Sequence, residues 1–205
     1  YVYWYGALDP SPARLALARQ SLTAAQRLAP NAPETEFAEG RFAYAKLDFV
    51  EAMCHYQAAL AGMPNDSGLL YQIGLTSERL GRRAEALAAL TQAHELNPLD
   101  LTTANSLVNR LIMRRRFADA VALGERYTGT SPAFANLAGL AGNTAIARYE
   151  LDGDRAKLVS NIRARPASGD DPYGLIPPYA AALYAGDIAE AARLLADPRF
   201  ITLQG

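Results

Sequence analysis

Cys54 and His55 are neighbours, and a thiol beside an imidazole is the first pair to test for nucleophilic chemistry. A thiol nucleophile needs its imidazole across from it; the next residue along a helix points elsewhere. His94 is the only other histidine, and Cys54 the only cysteine. That set cannot close a structural zinc site without a carboxylate. Cys54 is therefore expected to be a small interior residue, and both histidines half-exposed positions. Gly124–Ser131 reads G-E-R-Y-T-G-T-S, close to a phosphate loop, but Thr130 stands where the phosphate-binding lysine must be. No strand-like stretch precedes it, so nucleotide binding is not expected. The carboxylate pairs Asp152/Asp154 and Asp170/Asp171 fall in turn-like stretches, where aspartate caps and bends the chain. Arg114-Arg115-Arg116 reads as a helix end, where cations complement the helix dipole. Its alternative is a contact with an acidic segment of a partner. No convergent set of reactive residues emerges, so no enzyme activity, bound metal or cofactor is expected.

The elements that would position any site come from composition and period. The chain has 205 residues, half of them apolar, and a net charge of -1 from 20 basic and 21 acidic residues. That balance gives no electrostatic footprint for nucleic acid or an anionic membrane. No stretch approaches the roughly 18 apolar residues that span a bilayer, so no membrane insertion is expected. Alanine supplies about a fifth of the chain, and all basic residues but Lys46 and Lys157 are arginine. Ala, Leu and Arg are strong helix formers, which predicts an all-helical protein. The same bias resembles a GC-rich bacterial coding bias. The chain opens at Tyr1 without methionine or a signal-peptide pattern, as expected of a piece of something longer. A soluble chain is expected, cytoplasmic rather than periplasmic.

A period of 34 residues organises the sequence. Prolines stand at Pro30, Pro64, Pro98, Pro132 and Pro166. Gly6, Gly40, Gly74 and Gly142 keep the same step, with Val108 in the one gap. Ala18, Ala52, Ala86 and Ala120 keep it too, as do Ala25, Ala59 and Ala93. The clearest unit runs from Ser67 to Asp100. Its first half puts Leu70, Ile73 and Ser77–Leu80 on one helix face, and Gly81 ends that helix. Its second half puts Ala86, Leu87, Leu90 and Ala93 on one stripe, and Pro98 stops it. Asp66 and Asp100 stand where an N-cap opens the next helix. One such pair cannot bury its apolar face alone, so pairs must stack.

On these residues the chain resembles the tetratricopeptide repeat family. The matching positions are Leu70, Ile73, Gly74, Ala86, Leu90, Ala93 and Pro98. In the unit before they are Gly40, Phe49, Ala52, Tyr56, Ala59 and Pro64, and in the unit after Leu107, Leu111, Phe117, Ala120, Tyr127 and Pro132. The resemblance implies a right-handed superhelical solenoid of antiparallel helix pairs. Residues 1–166 are expected to form the array, with the first and fourth units degenerate. Asp9-Pro10 cuts the first helix short, and Ser11-Pro12 starts a long helix to about Leu28. In the fourth unit Gly153 marks the turn and the preceding helix runs to about Leu151. Residues 167–205 are expected to be a linker and an atypical terminal helical pair, Pro178–Ala185 and Ile188–Ala196, hinged at Gly186-Asp187.

The resemblance also implies a groove lined by the first helix of each pair, helix A, that holds a peptide or helix of a partner protein. Carrying those positions across gives three ladders: Tyr3, Phe37, Tyr71, Asn105; Arg41, Leu75, Asn109, Asn143; and Tyr44, Glu78, Ile112, Ile146. Each of these positions has the alternative of packing on a neighbouring helix. Aromatics supply anchoring area, and asparagines both donate to and accept from a peptide backbone. Tyr71 and Phe37 occupy places where a carboxylate clamp known in this family wants lysine, so binding of a chaperone tail is not expected. The opening Tyr-Val-Tyr-Trp-Tyr cluster is read as packing within the first unit or as an edge for self-association or an upstream domain. The leading reading is a non-catalytic protein–protein interaction scaffold. The alternative is a sensor or regulatory segment of a larger bacterial signalling protein, such as a cyclase or transcription activator.

Overall fold

The computed structural model describes residues 11–128, 138–163 and 176–197. Every regular element among them is a helix. The chain divides into two compact units, residues 1–103 and 104–205.

The first unit contains α1 (Pro12–Leu28), α2 (Pro33–Ala45), α3 (Phe49–Gly62), α4 (Ser67–Arg79), α5 (Arg83–Leu96) and the start of α6 (Leu101–Met113). The helices α2 and α3 pack as one antiparallel pair, and α4 and α5 as the next. Their boundaries follow from local chemistry. Pro12 sits in the first turn of α1 behind Ser11, whose hydroxyl accepts from the Arg14 amide. Asp48 and Asp66 carboxylates accept from the amides of Glu51 and Leu69 at 3.0 and 2.7 Å, capping α3 and α4. The turns inside successive pairs put one residue in the left-handed region at the same repeat position: Leu47 (φ 65), Gly81 (φ 75) and Arg115 (φ 57). Gly81 ends the first helix of its pair as its residue type predicts.

The periodic glycines explain how closely the paired helices approach. A Cβ at Gly40 would lie 2.5 Å from the Tyr56 ring, and one at Gly74 would lie 2.7 Å from Leu90 Cγ. Tyr56 and Leu90 are themselves 34 residues apart and fully buried. Each pair thus sets a bare backbone on its first helix against a large side chain on its second. Around Tyr56 the core gathers Ala43, Ala52, Ala59 and Leu69, with Phe37, Tyr44 and Ile73 packed at its margin.

The second unit holds the rest of α6, then α7 (Phe117–Thr128), α8 (Ala138–Asp152), α9 (Arg155–Arg163), α10 (Ile176–Ala185) and α11 (Ile188–Leu195). Gly153 and Gly186 make the left-handed turns after α8 and α10, at φ 71 and 79. Asp154 and Asp187 cap α9 and α11 through the amides of Lys157 and Glu190. Here the size pattern inverts at one repeat. Val108 takes the place of Gly40 and Gly74, and Gly124 that of Tyr56 and Leu90. The space at Gly124 is taken by Thr144 of α8, whose hydroxyl and methyl groups stand where a Cβ would need to go. A core of Ala145, Leu158, Ile162 and Ala181 follows, with Ile146, Tyr149 and Tyr184 at its margin.

Two expectations from the sequence are corrected. Cys54 is exposed, not interior. The buried stripe of α3 is Ala52, Met53, Tyr56 and Ala59, and Cys54 lies on the far side of the helix from Ala52 and Tyr56. His94 is buried, not half-exposed, because it continues the stripe Ala86, Leu90, Ala93 by one position. The start of the Gly124–Ser131 stretch, through Thr128, belongs to α7, and the remainder lies outside the described residues. The linker 167–172 and the aromatic cluster Tyr1–Tyr5 also lie outside them.

Candidate functional site

The ladder residues among the described positions all come out half-buried: Phe37, Arg41, Tyr44, Tyr71, Leu75, Glu78, Asn105, Asn109, Ile112, Asn143 and Ile146. Tyr3 lies outside the described residues. Half-burial means that each side chain has one side fixed by protein and another open to solvent.

In the first unit Phe37, Arg41 and Tyr44 stand at i, i+4 and i+7 of α2, on one face. The Phe37 ring meets Tyr56 edge-on, with centroids 5.9 Å apart, and the Arg41 guanidinium lies 6.0 Å from its centre. Tyr44 packs edge-on to Phe49 at 5.2 Å. Both aromatics are therefore held in place by the core that they border. Burial pushes the Tyr56 phenol well above its ordinary pKa, so it stays neutral beneath Phe37. The α4 helix touches α2 directly and carries Tyr71, Leu75 and Glu78 at i, i+4 and i+7. The Arg79 guanidinium at the end of α4 lies 6.0 Å from the centre of the Phe49 ring, the ring that Tyr44 packs against, and the neighbouring Tyr44 raises the arginine pKa. Two helix-A faces are thus joined side by side, with aromatic rings on both.

In the second unit the polar end of the ladders forms a contact of its own. Asn143 Nδ2 of α8 donates to Asn105 Oδ1 of α6 at 2.9 Å. Gly139 sits against the same asparagine; a Cβ there would come within 3.0 Å of Asn105 Nδ2. Asn109 is one turn further along α6. The pairing leaves each amide with donors and acceptors to spare, since an asparagine side chain offers two of each.

Sequence reasoning placed these residues on 34-residue ladders, and the lateral contacts run at other steps. Tyr44 shares the Phe49 ring with Arg79, 35 residues on, and Asn105 reaches Asn143, 38 residues on. Neighbouring helix-A faces are offset by up to one turn, so the first ladder meets the second. Arg79 was missed for that reason. Its signal in the sequence was a cation flanking the ladder residue Glu78.

The remaining reactive side chains stand apart from these faces. His55 Nδ1 is 2.8 Å from Glu36 Oε2 on the packed side of α2 and α3. Beside them Glu39 has its carboxyl pKa raised, first by burial, with the neighbouring His55 opposing and Glu36 and Glu51 reinforcing the shift. Its Oε1 has no hydrogen-bond partner among the described residues. Arg116 of the arginine run bonds Asp119 at 2.6 Å, and Arg115 lies over Phe117. Among the described residues no three His, Cys, Asp or Glu side chains are placed to hold a metal ion. None of the described helices is long and apolar enough to cross a membrane.

No protein-family model matches the sequence, and no curated protein matches it. Solved structures do. The chain is similar to TTC0263, a thermophilic tetratricopeptide repeat protein of Thermus thermophilus, with 21% identity, a TM-score of 0.63, and 82% of this chain and 92% of that one covered. It is similar to YrrB, described as a tetratricopeptide repeat protein with an unusual peptide-binding site, with 20% identity, a TM-score of 0.63, and 91% and 90% covered. It is also similar to PilW, a type IV pilus biogenesis factor, with 16% identity, a TM-score of 0.71, and 98% and 94% covered.

Proposed function

We propose that this chain, whose fold is that of the tetratricopeptide repeat, is a non-catalytic interaction module that holds a peptide or helix of a partner protein on its helix-A faces. One observation carries the reading. The α2 and α4 helices touch directly, with Tyr44 and Arg79 both packed on Phe49, and their aromatic residues Phe37, Tyr44 and Tyr71 are each half-exposed. Aromatic side chains fixed on one side and open on the other provide large contact area at little further entropic cost. Within the second unit the Asn105–Asn143 pair and Asn109 offer amide groups suited to a peptide backbone. The peptide-binding site named for the structurally similar YrrB supports the same direction.

Tyr71 is the cleaner anchor of the three. Phe37 and Tyr44 border the Tyr56 core, so their removal also loosens the fold. The test is affinity capture of a partner by the full chain, followed by hydrogen exchange of the complex. Binding as proposed slows exchange in α2 and α4 and leaves the exposed side of α5 unchanged. Protection confined to α3 and α5 would refute it.

A further inference from the structure

A second surface lies on α9, the second helix of its pair. Along α9 the residues Arg155, Ala156, Val159, Ser160 and Arg163 form one stripe at i, i+1, i+4, i+5 and i+8. With Ala185 at the end of α10 they line an open groove of about 820 Å³ within the second unit. Its floor is apolar, from Ala156, Val159 and Ala185, and a guanidinium stands at each end. Among the described residues the lining contains no acid. Neither guanidinium has a hydrogen-bonded carboxylate among the described residues. Arg163 does feel the charge of Glu190, but Arg193 already holds that carboxylate through two bonds of 2.7 Å. In a chain with a net charge of -1, α9 carries Arg155, Lys157 and Arg163 and no acidic residue.

The spacing selects the ligand. Two turns and a little more of helix put Arg155 and Arg163 about 12 Å apart along the axis, at 1.5 Å per residue. An extended peptide advances about 3.3 Å per residue, so its residues i and i+4 are about 13 Å apart and point to the same side. Residue i+2 points that way too, midway between them. Carboxylates at i and i+4 therefore reach both arginines while an aliphatic side chain at i+2 meets Val159. Guanidinium groups pair with carboxylates in a fork geometry that lysine does not reproduce.

We propose that this groove binds an extended acidic segment of a partner protein, with carboxylates four residues apart flanking one aliphatic side chain. The test uses the full chain and a fluorescein-labelled five-residue peptide with glutamate first and fifth, leucine third and serine between. A control peptide of the same composition carries its two glutamates side by side. Fluorescence anisotropy is expected to show about tenfold tighter binding of the spaced peptide. Arg155→Ala and Arg163→Ala each lose about tenfold, Arg163→Lys recovers only part, and added salt weakens all of them. Tyr71→Ala leaves this peptide's affinity unchanged, which separates the groove from the helix-A faces. Both arginines are exposed, so melting curves of the variants should match the parent. Equal binding of the two peptides, or binding untouched in the double arginine variant, overturns the proposal. So does full competition by inorganic phosphate at concentrations that match simple ion binding, which would make the groove a small-anion site.

Discussion

If the repeat glycines exist to let a large side chain through, then shrinking that side chain should make the glycine dispensable. Gly74 and Leu90 allow a clean cycle. A Cβ on residue 74 would stand 2.7 Å from Leu90 Cγ, 3.0 Å from its Cδ2 and 3.3 Å from the Ala86 carbonyl. The nearest atom is a branch point, not a flexible tip, so the side chain cannot simply swing away. Overpacking of this kind costs about 1–3 kcal/mol, against about 0.8–1 kcal/mol returned by replacing glycine with alanine in a helix. Gly74→Ala alone should therefore be neutral to destabilising by about 2 kcal/mol. Leu90→Ala alone removes a fully buried leucine and should cost about 2–5 kcal/mol. In the double variant the clash is gone and the helix gain remains, so it should be more stable than the sum of the singles by about 1–3 kcal/mol. Urea unfolding followed by circular dichroism measures all four corners, with equal m-values as the check that the same surface is exposed. Additivity within about 0.5 kcal/mol would refute this account of the glycine period.

Other outcomes are expected on the same physical grounds. Gly81→Ala should lower stability by about 1 kcal/mol through its positive φ alone, because nothing lies within 4 Å of the added Cβ; an unchanged melting temperature would contradict it. Burial raises the Glu39 pKa, so the folded state holds its proton to higher pH than the unfolded chain does, and stability falls as pH climbs above the ordinary value of 4.5. Glu39→Gln should then melt higher than the parent at neutral pH, with the difference fading toward pH 4.5; a lower melting temperature at neutral pH would reverse the assignment. Gly124→Ala should destabilise through collision with Thr144, and adding Thr144→Ala should recover part of the loss, since the hydroxyl, the nearest crowding atom, and the methyl both disappear; a double variant no more stable than Gly124→Ala in urea unfolding would place the strain elsewhere.

Much of this fold was legible because one period carried three residue types with separate jobs. Pro64 and Pro98 stop the second helices of their pairs, Gly40 and Gly74 admit a large partner side chain, and alanine lines the contact. The predicted long helix after Ser11 and the turns at Gly81, Gly153 and Gly186 follow from local backbone chemistry, which a sequence displays directly. Cys54 and His94 were misplaced because residue type was weighed above helical phase. Cysteine suggests an interior, but its angle on α3 decides. The helix-A residues were found as a set, while their contacts were not, because a constant 34-residue step cannot encode the offset between neighbouring helices. The groove along α9 left no repeat signal at all. It arises from a helix without acids meeting the end of α10.

The central claim, that helix-A faces hold a partner, meets its most direct test in calorimetric titration of a captured partner into the native chain, Tyr71→Ala and Gln92→Ala. Tyr71 is half-buried on α4, whereas Gln92 is exposed on α5. Loss of an aromatic anchor in a desolvated contact costs at least about 2 kcal/mol, nearly thirtyfold in affinity. The predicted result is that Tyr71→Ala weakens binding by about that factor, with its melting curve kept near the parent's, while Gln92→Ala binds as the native chain does. Full affinity in Tyr71→Ala together with a loss in Gln92→Ala would contradict it.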